Sequence, residues 1–217
     1  MVAPMKSLNA EKASIFRIAH RSNVPWILDH GLRCKNATVR DPNDIEIGNP
    51  DLIQKRTDRA LPISPKGTLS DYVPFYFTPF SIMMFNIRTG YGGITKRHND
   101  EIVIFKTSLR KLESNGVKFL FSDRNAFLVA AQFSSDLNDL NRIDWAIFQN
   151  RSFKKSPEEP EKFERYQAEA LVYKHLPLDS LDGIVCNSEL VEANLKKEIA
   201  KRGLNLTTAQ RPSWYFQ

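Results

Sequence analysis

Apolar residues fall in short runs separated by glycine, proline and asparagine, a pattern that predicts many short elements rather than a few long ones. Residues 15–20 (IFRIAH) alternate and read as a short strand. Residues 22–30 (SNVPWILDH) read as a helix, with Ser22 as its N-cap, Pro25 in its first turn and Gly31 just past its end. Residues 73–77 (VPFYF), 101–107 (EIVIFKT) and 118–122 (KFLFS) are β-branched and aromatic, as buried strands are. A helix can begin after the first of these, in residues 79–87 (PFSIMMFNI). Asp123-Arg124-Asn125 predicts a turn before a partly helical, polar stretch to Trp145. Residues 165–173 (RYQAEALVY) enter a further strand, and 182–186 (DGIVC) form another. The clearest helix is 189–202, with Leu190, Ala193, Leu195 and Ile199 expected inward and Gly203 as its stop. Strands and helices mix without a regular βαβ rhythm, so the fold class is α+β.

Two segments break this pattern. Residues 35–67 hold Asp41-Pro42-Asn43, Gly48-Asn49-Pro50 and Pro65-Lys66-Gly67, leaving room only for a short helix in 51–59. A loop this long inside a compact fold is commonly functional, and it reads as an insertion that covers a ligand. Residues 150–161 (NRSFKKSPEEPE) form a second loop.

With 217 residues the chain fits one domain, 1–217. It carries 31 Lys and Arg against 25 Asp and Glu, a formal charge of +6, which favours a polyanionic partner but also suits a merely soluble surface. Cys34 and Cys186 make no disulfide framework, and neither they nor the four histidines have zinc spacing, so no metal is expected. The first residues lack the apolar run of a signal peptide, and no stretch reaches the length of a membrane span, so no membrane and a cytoplasmic location are expected.

Three blocks carry candidate chemistry. F-R-I-A-H ends on His20 at a strand end and is followed by R-S-N. Y-V-P-F-Y-F-T-P-F-S contains Tyr76 between two phenylalanines. R-Y-Q-A-E-A-L-V-Y holds Glu169. Taken singly, His20 reads as structural and Tyr76 as core. Glu169 is different: Ala168, Ala170, Leu171 and Val172 threaten it with burial, which costs several kcal/mol unless the carboxylate is paired or used.

Together these blocks resemble the His-Tyr-Glu form of the ADP-ribosyltransferase superfamily. A wider set resembles the DarT family of DNA ADP-ribosyltransferase toxins: F-R-I-A-H-R-S-N-V-P-W-I-L-D-H-G-L, I-Q-K-R at 53–56, D-Y-V-P-F-Y-F-T-P-F-S-I-M-M, F-S-D-R-N-A, R-I-D-W and R-Y-Q-A-E. The resemblance implies NAD⁺ as co-substrate, a nucleic-acid base as acceptor and no metal. Under it, Glu169 holds the nicotinamide ribose and stabilises its developing charge. His20 binds the adenosine-side ribose, Tyr76 stacks on nicotinamide, and Arg21 and Ser22 hold the carboxamide through their backbone; Gly31 and Leu32 belong to the same cofactor-binding set. Arg56 matches the family's catalytic arginine, serving the acceptor base or a phosphate since it is a poor literal base, and is also counted in the cofactor-binding set. The absence of G-x-G-x-x-G agrees, since this superfamily does not use that phosphate loop. Residues 34–67 become the NAD-binding insertion and 123–168 the acceptor-recognition region, with Arg151, Lys154 and Lys155 set to meet phosphates and Phe153 to stack on a base. The implied acceptor is thymine in single-stranded DNA, and the implied partner is a macrodomain antitoxin, DarG. Guanine, RNA or protein acceptors, or a non-catalytic nucleic-acid-binding module, are the alternatives.

Overall fold

The computed structural model describes residues 4–217. In chain order its elements are β1 (Ser14–His20), α1 (Val24–His30), β2 (Leu32–Arg33), α2 (Pro50–Arg56), β3 (Tyr72–Tyr76), α3 (Ile82–Thr89), β4 (Ile102–Ser108), α4 (Leu109–Ser114) and β5 (Phe119–Ser122). They continue with β6 (Phe133–Ser134), α5 (Trp145–Gln149), α6 (Lys162–Arg165), β7 (Glu169–Tyr173), β8 (His175–Leu176), β9 (Gly183–Cys186), α7 (Glu189–Lys201) and β10 (Thr207–Gln210). Eight strands form one sheet in the order β10-β9-β4-β1-β3-β7-β5-β6, and β2 pairs with β8 apart from it. Its pairings are antiparallel except β9–β10, which α7 joins as a single parallel crossover. The α+β class predicted above is the class observed.

Side-chain alternation explains how the sheet places the site. Along β3, β5 and β7 one face carries Val73, Phe75, Phe119, Phe121, Ala170 and Val172 into the main core. The opposite face carries Tyr72, Leu120 and Leu171 into a smaller core with Leu61, Leu69 and Ala126. Covering both faces is why these strands read as unbroken apolar runs. By the same period of two, Glu169 shares the face of Leu171, and Tyr76 that of Tyr72. The register pairs Tyr76 with Glu169 across β3 and β7, so the two candidate residues are ladder neighbours.

Several boundaries differ from the sequence reading. Ser22 is not the N-cap of α1: residues 21–23 form a 3₁₀ turn capped by His20, whose ring accepts from the Ser22 amide, and α1 starts after Asn23. Gly31 does end α1, at φ +72°, where a Cβ would lie 2.5 Å from the Leu176 carbonyl. The α3 helix begins at Ile82, because the Ser81 side chain caps it by accepting from the Met84 amide. In α7 the buried row is Val191, Leu195 and Ile199, spaced by four; Leu190, expected inward, is 68% exposed, and Ala193 is exposed with it. The cap at Ser188 sets that phase.

Candidate active site

A cavity of about 310 Å³ opens on the Glu169 face of the sheet. Its wall includes Arg17, Asn23 and Leu32 from the β1–β2 region, Asp44 through Asn49, Leu52, Ile53 and Arg56 from the long insertion, and Tyr76, Asn125, Tyr166, Gln167 and Glu169. The segment from Lys35 to Arg56 therefore forms much of one side. Asn23 fastens it there: its Nδ2 donates to Asp44 Oδ1 at 2.6 Å and to the Ile45 carbonyl at 3.1 Å, and its Oδ1 accepts from the Ile45 amide at 3.0 Å. The α2 helix is cut from the loop by Asn49, whose side chain accepts from the Leu52 amide, with Pro50 opening the first turn. It ends at Arg56, shorter than the 51–59 expected.

Glu169 begins β7 with its side chain only 6% exposed. Arg56 Nη1 lies 3.2 Å from its Oε1 and 3.0 Å from its Oε2, and the Ala126 amide donates to Oε1 at 3.3 Å. The carboxylate that its apolar flanks threatened with burial is thus paired, which is the condition for keeping it charged there. Arg56 Nη2 is shielded from solvent and has no hydrogen-bond partner. Arg59 Nη2 donates to the Leu128 carbonyl at 2.9 Å, tying the chain just past α2 to the turn that supplies the Ala126 amide. Asn125 holds the same turn, donating to Gln167 Oε1 at 3.1 Å and accepting from the Phe127 amide at 3.0 Å. Burial, and then the charge of Glu169, push the Tyr76 hydroxyl up to about 12, so it remains a donor at neutral pH.

The fold thus brings Glu169, Arg56, Tyr76 and Leu32 to one cavity. His20 is not on its wall. Its buried ring accepts from the Ser22 amide at 3.2 Å and sits 3.6 Å from Glu101 Oε1, while Arg21 and Ser22 are exposed and Gly31 is buried against β8. Of the loop residues, Arg151 stacks its guanidinium 3.3 Å above the Phe80 ring, and Phe153 packs on Phe85, Tyr166 and Phe216. Both are half-buried and brace the loop from within, whereas Lys154 and Lys155 are exposed. Asn23, Arg17, Asn125 and Gln167 also line the cavity and are not among the site residues expected from the sequence, although R-S-N, F-R-I-A-H, D-R-N-A and Y-Q-A-E contain them. Polar residues inside otherwise apolar or helix-starting blocks were the available signal. Among the described residues no group of three or more His, Cys, Asp or Glu side chains could hold a metal. Among the described residues no helix is long and apolar enough to cross a membrane.

Burial pulls the His20 and His175 imidazoles below the ordinary histidine value, helped by Arg97 and Arg33 respectively. Both stay neutral where the unfolded chain takes up protons. Their contribution is therefore complete above about pH 6.5 and is lost as pH falls from there through their folded values. Melting temperature is expected to fall over that window, and His175→Gln to flatten the fall; an unchanged slope in that variant would contradict it.

An antiparallel sheet with one parallel edge, and a Tyr–Glu ladder pair at a cavity covered by a long insertion, agree with the ADP-ribosyltransferase class that the sequence resembles. The family model described as "ssDNA thymidine ADP-ribosyltransferase, DarT" matches residues 16–216, and the chain belongs to the DarT family. It is 50% identical over 210 residues to a DNA ADP-ribosyl transferase of Escherichia coli O127:H6, covering 97% of this chain and 96% of that one. Among solved structures it is similar to Thermus sp. 2.9 DarT in complex with ADP-ribosylated ssDNA, with a TM-score of 0.87, 29% identity and coverage of 95% and 97%. It is likewise similar to the same protein in complex with NAD⁺, with a TM-score of 0.80, 29% identity and coverage of 95% and 98%.

Proposed function

We propose that this chain transfers ADP-ribose from NAD⁺ to a ring nitrogen of thymine in single-stranded DNA, acting as a cytoplasmic toxin whose mark a macrodomain antitoxin of the DarG type removes. The observation that carries the chemistry is the pairing of buried Glu169 with half-buried Arg56 beside Tyr76 at the cavity. The carbon–nitrogen bond between nicotinamide and ribose breaks, its electron pair leaving on nicotinamide. Positive charge grows on the ribose, and Glu169 holds that sugar and stabilises the charge. The acceptor ring nitrogen forms the new bond to the same carbon and releases its proton to solvent water, with Arg56, which cannot take that proton, beside the negative charge that develops on the base. Tyr76 stacks against nicotinamide. His20 serves the adenosine-side ribose, next to Arg21, Ser22 and Gly31, and this requires its ring to leave the Ser22 amide and Glu101. Lys154 and Lys155 meet DNA phosphates, where the net positive charge also helps. The DarT family match and the 50% identical relative support DNA as the acceptor class.

Mass spectrometry of oligonucleotides incubated with NAD⁺ tests this reading. A mass gain of one ADP-ribose is expected on thymine-containing single strands and not on thymine-free strands, RNA or added protein. Modification that follows guanine instead would overturn the assignment of the base.

A further inference from the structure

We propose that Arg17 is the residue that binds the diphosphate of NAD⁺, a role that rests on NAD⁺ being the co-substrate. Arg17 lies on β1 and lines the cavity. The ladder pairs its neighbour Phe16 with Tyr76, which places Arg17 one position from the residue beside Glu169. Its Nη1 donates to the Pro74 carbonyl at 3.0 Å, fixing the guanidinium against β3. Its Nε is shielded from solvent and has no partner, and among the described residues no carboxylate comes within 4.0 Å of it. A guanidinium does not shed its proton to relieve burial, so a positive charge held this way calls for an anion.

The other cations on the wall are differently placed. Arg56 is taken by Glu169, and Lys35 is paired with Glu46 at 2.5 Å. Arg40 is exposed. Arg33 also has an unpartnered Nε but lies on the short β2 and makes no such contact with the floor of the sheet. Burial lowers the Arg17 pKa, Tyr76 and then Asp44 partly restore it, and Arg56 opposes it. Asp44 is the carboxylate that acts on Arg17, from beyond ion-pair distance, and Asp44's own carboxyl is pushed up by burial. The anionic part of NAD⁺ is its diphosphate, and the planar fork of an arginine matches phosphate oxygens two at a time.

Calorimetric titration of the full chain with ADP-ribose and with nicotinamide riboside, which has no phosphate, separates this role from one of shape. Arg17→Gln should weaken ADP-ribose binding roughly 10- to 100-fold, the size of a lost charge-assisted hydrogen bond or two. Nicotinamide riboside affinity should hold, KM for NAD⁺ should rise with kcat little changed, and Arg17→Lys should keep part of the affinity. Unchanged ADP-ribose affinity, an equal loss for both ligands, or a larger loss in Arg33→Gln would each overturn the assignment. Arg17→Met, which keeps the aliphatic stem, provides the same comparison if the glutamine variant unfolds. Wild-type protein with no ADP-ribose affinity would instead overturn the NAD⁺ reading itself.

Discussion

Glu169→Gln is expected to lower ADP-ribose transfer by about a thousandfold or more, because it removes the negative charge that faces the developing ribose cation while leaving the shape of the site. The glutamine keeps an oxygen for the Ala126 amide and for Arg56 Nη1, so the turn at 123–132 should stay in place. Glu169→Ala differs in kind. It leaves Arg56 without its carboxylate in a site where the arginine side chain is 18% exposed, and breaking such a shielded pair costs about 3–5 kcal/mol at its upper range. The alanine variant should therefore lose stability as well as turnover, and the double variant Glu169→Gln with Arg56→Gln should recover part of the stability without recovering activity. Single-turnover transfer and urea unfolding measured on the same preparations separate the two effects. Near-normal transfer by a folded Glu169→Gln protein would remove Glu169 from the chemistry.

Glu169 was legible in the sequence for a physical reason: a carboxylate between Ala168 and Ala170 in an apolar run has few explanations besides use or pairing. The long strands β1, β4 and β7 were legible for a related one, since their alternation and β-branched content reflect burial that the strand itself imposes. The two-residue strands β2, β6 and β8 were not, because they exist through ladder partners far away in sequence, as Leu32 with Leu176 and Phe121 with Ser134 show. The phase of α7 was half legible. Leu195 and Ile199 lie on the buried row, but choosing Val191 over Leu190 depends on the Ser188 cap and on what the helix packs against. Phe153 illustrates the same limit at the site. Whether an aromatic side chain in a loop faces solvent or a cluster is decided by Phe85, Tyr166 and Phe216, none of them near it in sequence. The insertion was recognisable as a loop from its prolines and glycines, whereas the single side chain that fastens it, Asn23, sits outside it in the chain.

Arg56→Ala is expected to cut transfer to a thymine-containing oligonucleotide by about a hundredfold or more, through loss of a positive group beside the acceptor's developing charge. On the proposed role this loss should exceed any loss of NAD⁺ affinity. Nη1 is committed to Glu169, so the arginine positions the carboxylate as well as offering its own charge, while Nη2 is shielded and unpaired. A group with one nitrogen engaged and another unengaged can hold the catalytic carboxylate and still donate to an incoming base. Arg56→Lys should restore only part of the rate, because one ammonium cannot bridge both oxygens of Glu169 and present a second donor in a fixed plane. Lys55→Ala should change little: Lys55 is exposed and lies with Asp58, Arg59 and Phe127 on a separate, more open cleft, and adjacent residues on a helix point in different directions. The measurement is single-turnover transfer alongside NAD⁺ affinity for all three variants. A crippled Lys55→Ala would shift the acceptor role to that outer cleft. A fall in NAD⁺ affinity proportional to the fall in rate for Arg56→Ala would place Arg56 with the co-substrate instead.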